Sequence, residues 1–100
     1  MTINVERDFE LVTLEITGRL DATTSPNLEV IINELSEDIK ELVFDMSGLE
    51  YISSAGIRVM LNAYKKMNIN QGIMRIEKVN NLVSKVFEMN GLMNIIEQEC

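Results

Sequence analysis

Histidine is absent from this 100-residue chain, and cysteine occurs once, as the final residue, Cys100. The absence of histidine removes the commonest general base and the commonest metal ligand of enzymes. A single thiol builds no disulfide framework, so the chain fits a reducing compartment. These absences predict a cytoplasmic protein without a metal site and without histidine-based catalysis.

Positive charge is also scarce, because 9 Lys and Arg residues face 16 Asp and Glu residues, which gives a formal net charge of −7. Nucleic-acid binding relies on clustered Lys and Arg that neutralise phosphates, so no nucleic-acid partner is expected. An acidic chain favours solubility or a basic protein partner. No apolar run reaches the roughly 18 residues of a membrane span, and the first residues do not form a signal peptide.

Proline occurs once, and hydrophobic residues make up 46% of the chain, a composition that argues against disorder. The length matches one domain, which we place at residues 1–100. Such a chain can bury a core without disulfides or metals.

The first half of the chain alternates strand and helix patterns. Alternating apolar residues predict two N-terminal strands joined by a turn at residues 7–8, and residues 18–21 close the second strand. Ser25 as N-cap and Pro26 at the first helical position then start a helix. Its apolar stripe contains Leu28, Ile31, Ile32 and Leu35.

The second half continues with a buried strand at residues 42–46 and a helix from about residue 55 to 67, ended by an Asn/Gly-rich segment. A short strand at residues 73–76 precedes a third helix that Asn80 or Asn81 caps and Gly91 ends. The pair Ile95 and Ile96 forms either a last strand or a frayed end. We expect the acidic segment 97–99 to be a solvated terminus.

This order of elements predicts an α/β fold. Strands that alternate with amphipathic helices pair in parallel through right-handed crossovers. The N-terminal hairpin makes the sheet mixed, so we expect a small mixed sheet, the hairpin plus parallel strands, packed with three or four helices.

Polar residues concentrate between the predicted buried strand and the second helix, in residues 45–57. We interpret this segment as an exposed loop that enters a helix N-terminus, where α/β sheets usually present their chemistry. Ser53 and Ser54 fit a helix N-cap, a feature that stabilises by about 1 kcal/mol. The small residues Ala55 and Gly56 also keep the approach open at a helix end that favours a phosphate. Both interpretations stay open.

Catalysis in this segment has little support. A nucleophilic serine needs an adjacent base, and the nearest candidates, Lys65 and Lys66, lie about three helical turns away. Motifs of serine hydrolases and of P-loop nucleotide sites are absent. Asp21 and Asp45 are expected at strand ends on one edge of the sheet. They form either a carboxylate pair suited to Mg²⁺ or acid–base work, or separate bonds to N–H groups of their own loops.

Several segments together resemble the STAS domain, and specifically the single-domain bacterial anti-sigma-factor antagonists. The late stretch from Val86-Phe87 to Gly91-Leu92 is similar, and the match in order and spacing covers nearly the whole chain. The other matching segments are Gly18-Arg19-Leu20-Asp21, Asp45-Met46-Ser47-Gly48 and Tyr51-Ile52-Ser53-Ser54-Ala55-Gly56-Ile57-Arg58-Val59-Met60-Leu61.

The resemblance implies a binding protein that is not an enzyme and needs no cofactor. In this family the unphosphorylated antagonist binds an anti-sigma factor, usually one that is also a serine kinase, and so frees the sigma factor. Phosphorylation by that kinase dissolves the complex, and a phosphoserine phosphatase resets it. The alternative is a STAS subunit of another signalling or transport assembly, or a ligand sensor, that is never phosphorylated.

The resemblance also implies roles for individual residues. Ser54, directly before Ala55-Gly56, matches the phosphoacceptor, and Ser53, where the family commonly has aspartate, is the second candidate. Asp45, Ser47 and Gly48 are expected to structure the loop. The implied partner-binding residues are Asp21, Ala22, Thr23, Thr24, Ser53, Ser54, Ala55, Gly56 and Arg58.

Overall fold

A computed structural model describes residues 1–89 and the backbone of residues 97–99. The elements of these residues are β1 (Thr2–Asp8), β2 (Leu11–Leu20), α1 (Ser25–Asn33), β3 (Glu41–Ile52), α2 (Ser54–Ile69), β4 (Ile73–Glu77), α3 (Asn81–Met89) and β5 (Glu97–Glu99).

The strands form one sheet in the order β1-β2-β3-β4-β5. β1 runs antiparallel to β2, and the other neighbouring strands are parallel, which confirms the predicted mixed sheet. Among the described residues a helix follows β2, β3 and β4 in turn, and right-handed crossovers in one direction would place these three helices on one face. Strands and helices share a single core, which includes Leu14, Phe44, Ile76, Leu28, Met60 and Phe87.

The hairpin turn lies at residues 9–10, because the last pair between β1 and β2 joins Asp8 to Leu11. The predicted turn at residues 7–8 is therefore wrong. Arg7 still pairs within the hairpin, and its guanidinium lies 2.9 Å from the Asp38 carboxylate, so this charged residue belongs to the strand.

Helix α1 begins at Ser25, with Thr24 at the N-cap and Pro26 in the first turn. The prediction of Ser25 as N-cap is wrong by one residue. The Ser25 N–H donates to the carbonyl oxygen of Asp21 at 2.8 Å, and this bond draws Ser25 into the helix.

Strand β3 is much longer than predicted. Its second half pairs with the end of β2, where Leu20 lies opposite Ile52. Two irregularities in this register break the alternation of side chains between the faces. The predicted polar loop is therefore wrong over residues 46–52, and only Ser53 lies between β3 and α2. The buried side chains of this extension are Met46, Leu49 and Ile52.

Helix α2 ends in the predicted Asn/Gly-rich segment. The Gly72 N–H donates to Met67 O at 2.8 Å and the Gln71 N–H donates to Asn68 O at 3.1 Å, the two bonds of a Schellman motif. Gln71 takes the left-handed conformation of this motif, with φ of 60°.

Asn80 caps helix α3, which decides between the two predicted candidates. Its Oδ1 accepts the Val83 N–H at 2.8 Å, and its Nδ2 donates to the carbonyl oxygen of Leu49 at 2.8 Å. One side chain therefore starts α3 and also fastens it to the β3 extension, beyond the part of β3 that pairs with β4.

The acidic residues Glu97–Glu99 form β5 and pair with residues 75–77 of β4. The segment that we expected to be a solvated terminus is therefore a strand, because the edge of β4 supplies a backbone partner. The expected helix end at Gly91 and the undecided pair Ile95 and Ile96 lie outside the described residues.

Candidate functional site

The passage from β3 to α2 is a tight corner formed by Ser53. Ser53 has an extended backbone, with φ of −99° and ψ of 177°, and its carbonyl oxygen accepts the Ile57 N–H at 2.9 Å. The Ser53 N–H donates to the carbonyl oxygen of Leu20 at 2.9 Å. The start of α2 is thereby tied to the carboxyl end of β2.

The two serines of this corner differ in exposure. Ser53 occupies the N-cap position but makes no side-chain cap hydrogen bond. Its Oγ is buried and has no hydrogen-bond partner among the described residues. Ser54, the first residue of α2, is exposed. The sequence correctly predicts a cap position here, but the capping bond itself is not formed.

Gly56 lets α2 start directly against the sheet. The glycine is buried, and a Cβ added to it would lie 2.8 Å from Ile52 Cγ1 and 2.9 Å from the carbonyl oxygen of Leu20. Any larger residue would therefore push the first turn of α2 away from the ends of β2 and β3. The absence of a side chain at this position has an internal reason, and a direct contact of Gly56 with a partner stays a prediction.

The turn between β2 and α1 is closed by its own polar side chains. The Asp21 carboxylate accepts the backbone N–H groups of Thr23 at 3.0 Å and Thr24 at 3.2 Å. These bonds, that of Thr23 above all, hold the pKa of Asp21 below its ordinary value. The Thr24 hydroxyl donates to the carbonyl oxygen of Arg19 at 2.8 Å and accepts the Asp21 N–H at 2.9 Å.

The structure brings this turn and the Ser53 corner together. Both follow the carboxyl ends of adjacent parallel strands, and Leu20 lies opposite Ile52 in the register. Arg58 is exposed and lies one helical turn after Ser54. The predicted partner-binding residues therefore share one edge of the sheet, formed by residues 21–24, residues 53–56 and Arg58.

A family model of the STAS domain matches residues 2–99. The chain belongs to the STAS domain family.

Three similar proteins agree with this membership. The anti-sigma-B factor antagonist of Listeria monocytogenes is 28% identical over 94 residues, which cover 92% of this chain and 82% of the relative. A solved anti-sigma factor antagonist from Mycobacterium paratuberculosis has a TM-score of 0.84 and 23% identity, over 97% of this chain and 83% of that one. The Bacillus cell fate determinant SpoIIAA in its phosphorylated form has a TM-score of 0.78 and 17% identity, over 99% and 92%.

Anti-sigma factor antagonists act by binding and not by catalysis, so the prediction that the chain is not an enzyme is confirmed at the level of the family.

Asp45 lies inside β3 of this STAS domain, away from the corner. It pairs with Glu15, whereas Asp21 follows the end of β2, about 20 Å further along at roughly 3.3 Å per residue. The alternative in which Asp45 and Asp21 form a carboxylate pair at one edge is therefore wrong. Among the described residues, no group of three or more acidic or cysteine side chains could hold a metal ion.

The Asp45 carboxylate accepts a hydrogen bond within its own segment, as the second of the two alternatives predicts. Its Oδ1 accepts the Ser47 N–H at 3.0 Å, and its Oδ2 lies 3.7 Å from Lys78 Nζ. The bond from Ser47, ahead of the Lys78 charge, lowers the pKa of Asp45. Gly48, next in the strand, lies opposite Thr17.

Arg19 and Tyr51 are neighbours at this edge that the sequence did not single out. The Arg19 guanidinium lies 4.3 Å from the centre of the Tyr51 ring, and its Nε lies 3.9 Å from Asp21 Oδ2. Their contact depends on the β3 extension, which places Tyr51 opposite Arg19. Recognition of residues 46–52 as a strand would have indicated this pair.

Within the part of the chain that the structure describes, no helix is long and apolar enough to cross a membrane.

Proposed function

We propose that this STAS domain is an anti-sigma factor antagonist whose binding is switched off by phosphorylation of Ser54. The observation that carries the proposal is the exposed Ser54 at the first position of α2, next to a serine whose hydroxyl oxygen is buried. Relatives named as antagonists over nearly the full length support it. A phosphorylated form of SpoIIAA with the same fold also supports it.

The acceptor in this proposal is Ser54 and not Ser53. A kinase must place the transferred phosphoryl group in line with the attacking hydroxyl oxygen, so that oxygen has to be accessible. The Ser53 Oγ is buried, whereas Ser54 is exposed. Ser54 therefore offers its hydroxyl to a kinase without a change of rotamer at the corner.

The proposed partner surface is the edge formed by the β2–α1 turn and the Ser53 corner. Its partner is an anti-sigma factor with serine kinase activity, and a phosphoserine phosphatase restores the binding form. The hydrogen bonds of Asp21 keep the turn in one conformation, so little ordering is required when the partner binds. The surface comprises Asp21, Ala22, Thr23, Thr24, Ser53, Ser54, Ala55, Gly56 and Arg58.

The energies of phosphorylation suit a local switch. A phosphate adds about −1.5 to −2 charges, and at a helix N-terminus negative charge is favourable by about 0.3–1 kcal/mol. The modified domain therefore stays folded. Each 1.4 kcal/mol or so of electrostatic or steric conflict at the surface weakens binding about tenfold.

The cellular setting follows from the same proposal. The kinase performs the phosphoryl transfer, so this protein needs no cofactor. We place it in the cytoplasm, where the sigma factor acts. Its net charge of −7 gives no basis for binding nucleic acid or an anionic membrane surface.

The first experiment measures binding to a candidate anti-sigma kinase from the same organism. We expect Ser54→Asp to weaken binding at least tenfold, about 1.4 kcal/mol, while the thermal unfolding temperature stays nearly unchanged. Ser54→Asn is the matched control, since it has the same size without the charge. Equal binding by the Asp and Asn variants would contradict the proposed switch.

The second experiment identifies the acceptor by intact mass after incubation with the kinase and ATP. We expect one phosphate on the wild type and on Ser53→Ala, and none on Ser54→Ala. If no candidate kinase modifies the wild type, the result favours a STAS subunit of another signalling or transport assembly that works without phosphorylation.

A further inference from the structure

We infer that Arg58 binds the phosphate on Ser54 within the same chain, and that phosphorylation thereby withdraws this cation from the partner surface. The inference rests on the proposed phosphorylation of Ser54 and adds a second component to the switch.

Helix geometry places Ser54 and Arg58 on one face of α2. Ser54 is the first residue of α2 and Arg58 lies four positions later, and both are exposed. Residues four apart on a helix have Cβ atoms about 5–6 Å from each other. Helical side chains lean towards the N-terminus, so a side chain as long as that of Arg58 can reach the turn that begins with Ser54.

Arg58 is available for this role. Among the ion pairs within residues 1–89, none involves Arg58. The other arginine of this edge, Arg19, already lies over the Tyr51 ring and beside Asp21. Arg58 is thus the cation of α2 that a phosphate on Ser54 meets first.

The surroundings make a nearby cation valuable to the phosphate. The turn that contains Asp21 lies beside the corner, and the lowered pKa of Asp21 keeps its carboxylate charged at neutral pH. A phosphate on Ser54 adds further negative charge to this edge, which a guanidinium compensates. The Ser53 side chain makes no cap bond, so it does not compete for the first-turn N–H groups that face such an anion.

The binding of the phosphate by the Arg58 guanidinium is the second component of the switch. A guanidinium binds phosphate oxygens through two parallel N–H bonds, which are shorter and stronger than neutral hydrogen bonds. An Arg58 side chain held by the phosphate cannot reach a carboxylate or carbonyl of a partner. Phosphorylation then both adds repulsive charge and removes a donor.

The test uses the full chain with phosphoserine incorporated at position 54 during translation, so it needs neither the kinase nor the partner. The readout is the ³¹P NMR shift of the phosphate as a function of pH. A bound cation favours the dianion and lowers the second pKa of the phosphate. At the wild-type midpoint we expect Arg58→Gln to raise the ratio of monoanion to dianion about threefold.

Lys65→Gln is the matched control, because it removes one exposed cation from the same helix at a distance of about 16 Å from Ser54. The other charged groups of this edge, Arg19, Asp21 and Glu50, are present in every variant and contribute equally. An Arg58→Gln titration identical to wild type, or equal to that of Lys65→Gln, would overturn the inference. The proposed function would stand in that case, since it fails only if Ser54 is not a kinase substrate or if its phosphate leaves binding unchanged.

Discussion

Two turns at the same edge of the sheet each connect a strand to a helix, but different interactions hold them. Between β2 and α1, the Thr24 hydroxyl and the Asp21 carboxylate bond to the backbone of the turn. Between β3 and α2, the Ser53 hydroxyl has no partner in the described structure, and Ser54 faces solvent. The first turn is held by side-chain bonds and the second by close packing of Gly56.

The comparison distinguishes a turn whose side chains stabilise the fold from a turn whose exposed hydroxyl can be modified. Polar side chains that form local hydrogen bonds fix the backbone of their turn in one conformation. The Ser53 corner is instead fixed through backbone bonds and through a position without a side chain, which leaves the Ser54 hydroxyl unengaged. A modification there changes the surface and breaks no bond that the fold needs.

The largest effect is expected from Gly56→Ala, which disrupts the packing of the Ser53 corner. The new Cβ would lie 2.9 Å from the backbone carbonyl of Leu20, which cannot move alone. We expect the free energy of unfolding in urea to fall by about 2 kcal/mol. The exposed Asn62→Ala on the same helix is the control, with a change within about 0.5 kcal/mol. Equal stability of both variants would mean that packing does not hold the corner.

A smaller effect is expected from Thr24→Val, which removes the hydroxyl of the first turn while keeping its shape. The bonds to Arg19 O and from the Asp21 N–H are both lost. We expect a loss of about 1–2 kcal/mol in the same urea measurement, because these backbone groups are left without their partner. Thr23→Val, at an exposed neighbour, is the control. A loss no larger than that of the control would mean that the hydrogen bonds of Asp21 hold the turn without the Thr24 hydroxyl.

The smallest effect is expected from Ser53→Ala. A serine N-cap that bonds to its helix loses about 1 kcal/mol on this change. Ser53 makes no such bond, so we expect a stability within about 0.5 kcal/mol of wild type. Asn80→Ala, at the N-cap of α3 where the bond to Val83 is present, provides the comparison. Similar losses for both variants would show that Ser53 does cap α2 in solution.

The sequence predicts most of the fold because its helices have clear apolar stripes and its central strands are strongly apolar. It fails over residues 46–52, where the irregular register with β2 buries every third residue and hides the alternation of a strand. The alternative of a carboxylate pair is excluded by the same extension, since Asp45 lies inside β3 and not near its end. A register irregularity depends on the partner strand, so the sequence pattern of one strand alone does not reveal it.

The position of the proposed site follows from the sequence, because polar residues after two parallel strands come to one edge of the sheet. The roles of its residues remain predictions that rest on the resemblance, which favours Ser54 over Ser53. The buried Ser53 hydroxyl, which only the structure reveals, supports that choice. The contact of Arg19 with Tyr51 likewise requires the three-dimensional pairing of β2 with β3.

Asn80 also completes part of the backbone bonding of the β3 extension. Past Asp45, β3 pairs with no residue of β4, so the carbonyl oxygens on that side of the strand take other partners. The Asn80 amide supplies one to Leu49. The side chain that caps α3 therefore also replaces one hydrogen bond that a longer β4 would have made.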